Sequence, residues 1–201
     1  MNQSDRRRSM QTATLETPSP LRQAADLPLK CLVKGDLDRY RVDGKVEWRE
    51  PSLWAILAYR FSRWTRQRRG TLAGTLCMPI DAISYPVICL LTGIQIGRGA
   101  SIGPGLRIWH FGGVIINTHV TIGARCTLRH NVTIGNRRGD FDVPTIGDDV
   151  VIGVGATVIG QITVGDRTVI GAGAIVLKDL PADSLAVGNP ARIVPLKSPS
   201  V

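Results

Sequence analysis

At 201 residues, 43% hydrophobic but only 5% aromatic, the chain has aliphatic material for one core and few rings for stacking on nucleobases. Twenty-five basic against 16 acidic residues give a net charge of +9, which suits an anionic membrane surface or phosphate-bearing ligands. Nucleic acid is the weakest partner class, because no nucleic-acid motif accompanies the charge.

Residues 1–25 mix Arg, Ser, Thr, Gln and Pro without periodicity and are expected to form a disordered basic tail. Their opening, MNQSDRRRSM, lacks the apolar stretch of a secretory signal. Residues 26–92 form the next unit, an α-helical region. Trp54, Leu57, Ala58, Phe61 and Trp64 follow helical spacing on one apolar stripe, on a helix starting near Pro51–Ser52. Arg60, Arg63, Arg66, Arg68 and Arg69 follow as a basic cluster. The stretch Thr71–Thr92 is strongly apolar yet carries Pro79, Asp81 and Pro86. That composition predicts a buried helix pair or a segment lying in a membrane interface rather than a span.

From residue 93 to 178 a six-residue period takes over. Ile116, Ile122, Leu128, Ile134, Ile146, Ile152, Val158, Val164, Ile170 and Val176 fall in one phase, broken only at Asp140. Ile96, Ile102 and Ile108 keep the same period two residues out of phase. Small or β-branched residues, such as Val120, Cys126, Val132 and Ala156, recur four places after the aliphatic. A period of six is neither helical nor alternating, and it predicts a left-handed parallel β-helix with three hexads to a coil. The expected fold is therefore an all-β main domain with a small α-helical N-terminal region. Residues 179–201 are expected as a C-terminal tail. Cys31, Cys77, Cys89 and Cys126 show no metal-ligand spacing, so no metal is expected, and reduced, mostly buried thiols fit a cytoplasmic protein.

In a solenoid the regular positions build the core, and the irregular ones are free for function. Two irregularities stand out. One is Trp109-His110-Phe111-Gly112-Gly113, which adds two residues between hexads; the other is the polar loop Asn136–Thr145. His110 and His130 each stand two residues beyond equivalent hexad positions, Ile108 and Leu128, so they should lie one coil apart on the same side. The loop with Arg137 and Arg138 follows round the next corner, and all of these should converge on one region. An imidazole there can take the proton from an acceptor hydroxyl, which makes His110 the candidate general base and His130 an acceptor ligand or orienting partner. Arg137 and Arg138 are candidates for an anionic ligand. His119 sits in an ordinary hexad and is read as structural.

The segment GIQIGRGASIGPGLRIWHFGGVIIN and the ending VGNPARIV resemble the hexapeptide-repeat acetyltransferases, specifically the serine acetyltransferase branch. The resemblance implies acetyl-CoA as donor, a homotrimer or a multiple of three with sites between adjacent subunits, and His110 as the catalytic histidine. It also shows departures. Gln95 and Trp109 stand where that branch carries two Asp residues, and Asp142-Val143-Pro144 stands where an Arg-His pair holds the amino acid's carboxylate. The run LRHNVTIGNRRGDFDVPTIG, with LAYRFSRW upstream, is similar to the colanic acid biosynthesis acetyltransferases. On that likeness the acceptor is expected to be a carbohydrate hydroxyl of an exopolysaccharide precursor, free or lipid-linked, with Gln95, Trp109 and Asp142 beside it. Serine acetylation is the alternative, and a catalytically silent β-helix scaffold is a further one. CoA is expected along the helix edge at Gly153, Gly155, Ala156, Gly171, Ala172 and Gly173, with Lys178, Arg192 and Lys197 on its phosphates. The protein is placed in the cytoplasm, with peripheral contact at the inner membrane face set against simple helix packing.

Overall fold

The computed structural model describes residues 25–194. Three helices come first: α1 (Leu29–Arg39), α2 (Pro51–Gln67) and α3 (Leu72–Thr92). A two-residue hairpin, β1 (Arg41–Val42) and β2 (Lys45–Val46), separates the first two. Its turn is Asp43-Gly44, both at positive φ, the Asp-Gly pairing that mirror-image hairpin turns need. Proline at the first position starts α2. Thr71 caps α3 by accepting the Gly74 amide at 3.2 Å, and Gly93 ends it in the left-handed conformation at φ 63°.

A parallel β-solenoid follows, consistent with the left-handed winding expected. Its first face stacks β3 (Ile94–Ile96), β6 (Val114–Ile116), β9 (Thr133–Gly135), β12 (Thr157–Ile159) and β15 (Ile175–Val176). The second stacks β4 (Ser101–Ile102), β7 (Thr121–Ile122), β10 (Thr145–Ile146) and β13 (Thr163–Val164). The third stacks β5 (Arg107–Ile108), β8 (Thr127–Leu128), β11 (Val151–Ile152), β14 (Val169–Ile170) and β16 (Leu185–Val187), with β17 (Arg192–Val194) returning antiparallel. Residues expected as a tail after position 178 thus enter the third face as far as Val194.

The register explains the two hexad phases. Ile96, Ile102 and Ile108 pair with Ile116, Ile122 and Leu128, so the two-residue shift is absorbed wholly in the loop after β5. All the hexad aliphatics are buried, as are Val120, Cys126, Val132 and Ala156 beside them. Each such Ile or Val contributes on the order of 1.5–3 kcal/mol of transfer free energy. Gly153 shows why the position after the aliphatic stays bare: a Cβ there would lie 2.6 Å from the Ala172 amide nitrogen in the next coil.

The first coil has no coil beneath it, and its carbonyls need donors. The helices supply them. Tyr59 donates to Ala100 O at 2.6 Å, and Ser52 to Ile108 O at 2.8 Å; Tyr85 donates to Ile96 O. Arg60 donates to Ile102 O and Gly103 O, each at 2.6 Å, while its Nε meets Asp36 at 2.8 Å. Asp36 also accepts the Gly105 and Leu106 amides, at 2.9 and 3.0 Å, so one buried ion pair fastens α1, α2 and the first coil together.

Three expectations change here. Arg60 leaves the basic surface cluster, being 1% exposed, because its guanidinium satisfies edge carbonyls. The buried face of α2 runs through Leu53, Ile56 and Tyr59, while Trp54 is half-exposed; the helix is packed between the solenoid and α3, not on a single stripe. Finally, Leu72–Thr92 is a single helix carrying both prolines, with its outer side exposed, rather than a buried pair. The cysteines also divide: Cys126 is buried in the ladder, where burial pushes its thiol up to about 12, but Cys31 is exposed.

Candidate active site

The chain passes from the third face to the first at one corner of the prism, and each passage stacks on the next. Asn131 N donates to Gly112 O at 3.1 Å, Gly155 N to His130 O at 3.1 Å, and Gly173 N to Val154 O at 2.8 Å. Hydrogen bonds therefore string the His110 loop, His130–Asn131, Val154–Gly155 and Ala172–Gly173 into one column. His110 itself sits at φ 66°, a region that disfavours side chains, and the same corner turns through positive φ at Asn131, Gly155 and Gly173 in the coils above. The imidazoles of His110 and His130 meet edge to face with ring centroids 5.6 Å apart, as the hexad phase predicts. His130 Nδ1 is buried and makes no hydrogen bond within the described chain, an unmet polar atom that calls for a ligand or a partner. Farther up the column, a Cβ on Gly155 or Gly173 would touch nothing within 4 Å, so this edge is open to a ligand. Gly153 and Gly171 instead face the neighbouring coil or Val187 and serve stacking.

Trp109 turns from the histidines onto the third face. Arg107 lies between the rings of Tyr40 and Trp109, at 3.9 and 4.2 Å from their centroids, and Arg129 approaches Trp109 at 5.4 Å. No sequence signal points to this stack, since its members come from three separate elements. Gln95 is exposed on the outer side of β3, where it lines a cavity of about 570 Å³ with Cys89, Arg98, Gly113 and Ile115. Burial raises the Cys89 thiol above its ordinary range, which disfavours a thiolate nucleophile there.

The polar loop does not join the histidines within one chain. It leaves β9 at the corner between the first and second faces, so a whole sheet separates the two. Its contacts belong to that corner: Phe141 packs on His119 with centroids 4.5 Å apart, and Asn117 donates to Asn136 at 3.1 Å. Asp142 accepts the Arg138 amide at 3.1 Å through one oxygen and the Gln161 amide through the other. Its charge braces the loop. Arg137 meets Lys178 and Arg192 around a cavity of about 430 Å³, while the Arg138 side chain is exposed. Lys197 lies outside the described residues. Among the described residues no cluster of His, Cys, Asp and Glu could hold a metal ion.

Comparison with known proteins agrees with this architecture. The family model for bacterial transferase hexapeptide (six repeats) matches residues 144–178. A serine acetyltransferase of Helicobacter pylori is 40% identical over 147 residues, covering 72% of this chain and 81% of the relative. One from Synechococcus elongatus is 34% identical over 146 residues, but this chain spans only 57% of its length. Among solved structures, soybean serine acetyltransferase complexed with serine superposes with a TM-score of 0.71 at 31% identity, covering 85% of this chain and 71% of that one. A serine acetyltransferase in complex with CoA gives 0.65 at 26%, covering 86% and 72%.

These relatives correct the expected acceptor. Serine acetyltransferases stand where a carbohydrate-modifying enzyme is expected from the sequence, and a likeness to the colanic acid enzymes is not shown. One ground for the carbohydrate expectation, the charge of Asp142, also weakens in the structure. In the sequence its carboxylate looks hostile to an amino acid's carboxylate, but in the fold both oxygens are engaged by backbone amides.

Proposed function

Because this chain belongs to the serine acetyltransferase branch of the hexapeptide-repeat acetyltransferases, we propose that it transfers an acetyl group from acetyl-CoA to the hydroxyl of L-serine. The observation that carries the chemistry is the His110–His130 pair at the corner where the hexad phase slips, beside an open edge of the same column. Acetyl-CoA supplies the acetyl group as a thioester and departs as the free thiol. His110 accepts the hydroxyl proton as the serine oxygen bonds to the acetyl carbon, and returns it to the departing sulfur. That use of a positioned imidazole gives about 10²–10⁴-fold of rate. His130 orients His110 or the acceptor. A backbone N–H of the corner column steadies the developing oxyanion. No covalent enzyme intermediate is required, since a thioester already carries a good leaving group.

The open edge at Gly155 and Gly173, with Ala156 and Ala172 beside it, suits a slender acyl arm, and Arg137, Lys178 and Arg192 suit phosphates. These two halves occupy different corners of one prism. A homotrimer would bring the histidine corner of one subunit against the basic corner of its neighbour, with the outer side of the first face and Gln95 as the floor.

Incubating the protein with acetyl-CoA and L-serine, with titration of free thiol and mass detection of O-acetylserine, tests the reading. Stoichiometric thiol and O-acetylserine are expected. Thiol release that requires some other hydroxyl, or none at all with serine, overturns the acceptor assignment. Light scattering tests the assembly, where a fully active monomer would exclude the shared site.

A further inference from the structure

Helix α3 presents a face that the fold leaves uncovered. Leu72, Leu76, Ile80, Ile83, Val87 and Leu90 recur every three or four residues along its outer side, and all are exposed, Leu72 at 78% and Leu90 at 84%. The helix is long and apolar enough by composition to cross a membrane, yet its inner side is committed to the protein. It packs along α2, its only charge, Asp81, is buried and paired with Arg98 at 3.3 Å, and Tyr85 bonds to the first coil. Spanning a bilayer would tear those links out. Lying flat on one would not.

Charge decides what covers the face. No charged side chain belongs to the stripe, and Arg66, Arg68 and Arg69 stand exposed just before its start. At the far end Trp54, itself 47% exposed, borders a groove with Ile88 and Leu91. Arg49 in that groove has Glu47 and Glu50 as near neighbours in the chain, so the net basic charge is concentrated at the start of the helix. An apolar stripe about 30 Å long, with arginines at one end and an indole at the other, is the pattern of a helix that rests in a lipid interface. A twofold contact between copies would instead bury the same stripe against itself with no role for the arginines.

We infer that α3 docks the protein flat on an anionic phospholipid surface, its stripe among the acyl chains and Arg66, Arg68 and Arg69 on the lipid phosphates. The surface meets the candidate site directly. Gly93, which ends α3, lies against the His110 loop, where a Cβ on it would come within 3.0 Å of Gly112 Cα.

Sedimentation of the full chain with vesicles tests this without reference to activity. It should pellet with vesicles containing phosphatidylglycerol, remain in solution with pure phosphatidylcholine, and be released at high salt. Replacing the three arginines together (R66Q, R68Q and R69Q) should weaken partitioning roughly a hundredfold, and Ile83→Glu should abolish it, with thermal unfolding unchanged in both. Protein that stays in the supernatant with both lipids overturns the inference. So does Ile83→Glu if it leaves vesicle binding intact, or if it lowers the mass in solution and shows that the face joins two copies.

Discussion

The solenoid and its helical cap are stable for opposite reasons. In the solenoid one contact is repeated: an aliphatic side chain stacks on its equivalent a coil away, as in the file Leu128, Ile152 and Ile170. No single member matters much, since each coil is held by many copies of a modest interaction. In the cap nothing repeats. A few buried polar groups hold it: Tyr59 and Arg60 donate to carbonyls that the first coil exposes, and Asp36 accepts two of its amides while pairing with Arg60. Repetition spreads free energy thinly, and capping an edge concentrates it. The candidate catalytic pair, His110 and His130, stands in neither regular region but at the corner where the hexad phase slips.

The largest expected effect tests that last point. His110→Ala should lower the transfer rate by about 10²–10⁴-fold while leaving thermal unfolding where it was. A fall in stability of similar weight would mean that the interrupted corner is structural. The next concerns the cap. Arg60→Ala leaves Asp36 buried without its partner and two carbonyls without donors, and should cost about 3–5 kcal/mol in denaturant unfolding. In the ladder, Ile152→Val removes one methyl from a file of equals and should cost only about 0.5–1.5 kcal/mol. If the two costs were reversed, the contrast between concentrated and distributed stability would fail.

The smallest effect belongs to the surface of the solenoid. Arg125 pairs with Asp149 on the corner between the second and third faces, and the guanidinium holds that carboxyl below its usual range. Both side chains are substantially exposed, so Arg125→Gln should cost under about 1 kcal/mol at neutral pH. Because the folded carboxyl is the more acidic, this contribution is complete above the ordinary carboxylate pKa and fades as pH falls through the lowered one. The wild-type advantage over Arg125→Gln should therefore vanish in acid, and an advantage that grew on acidification would contradict the pairing.

The unequal legibility of the two regions has the same origin. A contact repeated every six residues leaves a period in the sequence, so spacing alone reveals the buried file from Ile96 to Val176 and the stacked position of His110 and His130. Arg60 leaves no such trace. Beside Arg63, Arg66, Arg68 and Arg69 it reads as one more surface charge, and only the carbonyls of Ile102 and Gly103, some 40 positions away, make it a core residue. Asp142 misleads in the same way. Its charge is plain in the sequence, but the two backbone amides that occupy it are not.

The coil, its phase and the corner where the phase slips follow from local spacing under one steric rule, so the order of residues is enough to dictate them. Which carbonyls the cap satisfies, which side of α3 stays bare, and the separation of the basic loop from the histidines emerge only in the folded molecule. Each of these depends on groups far apart in the chain meeting in space, and a linear pattern carries no record of such meetings.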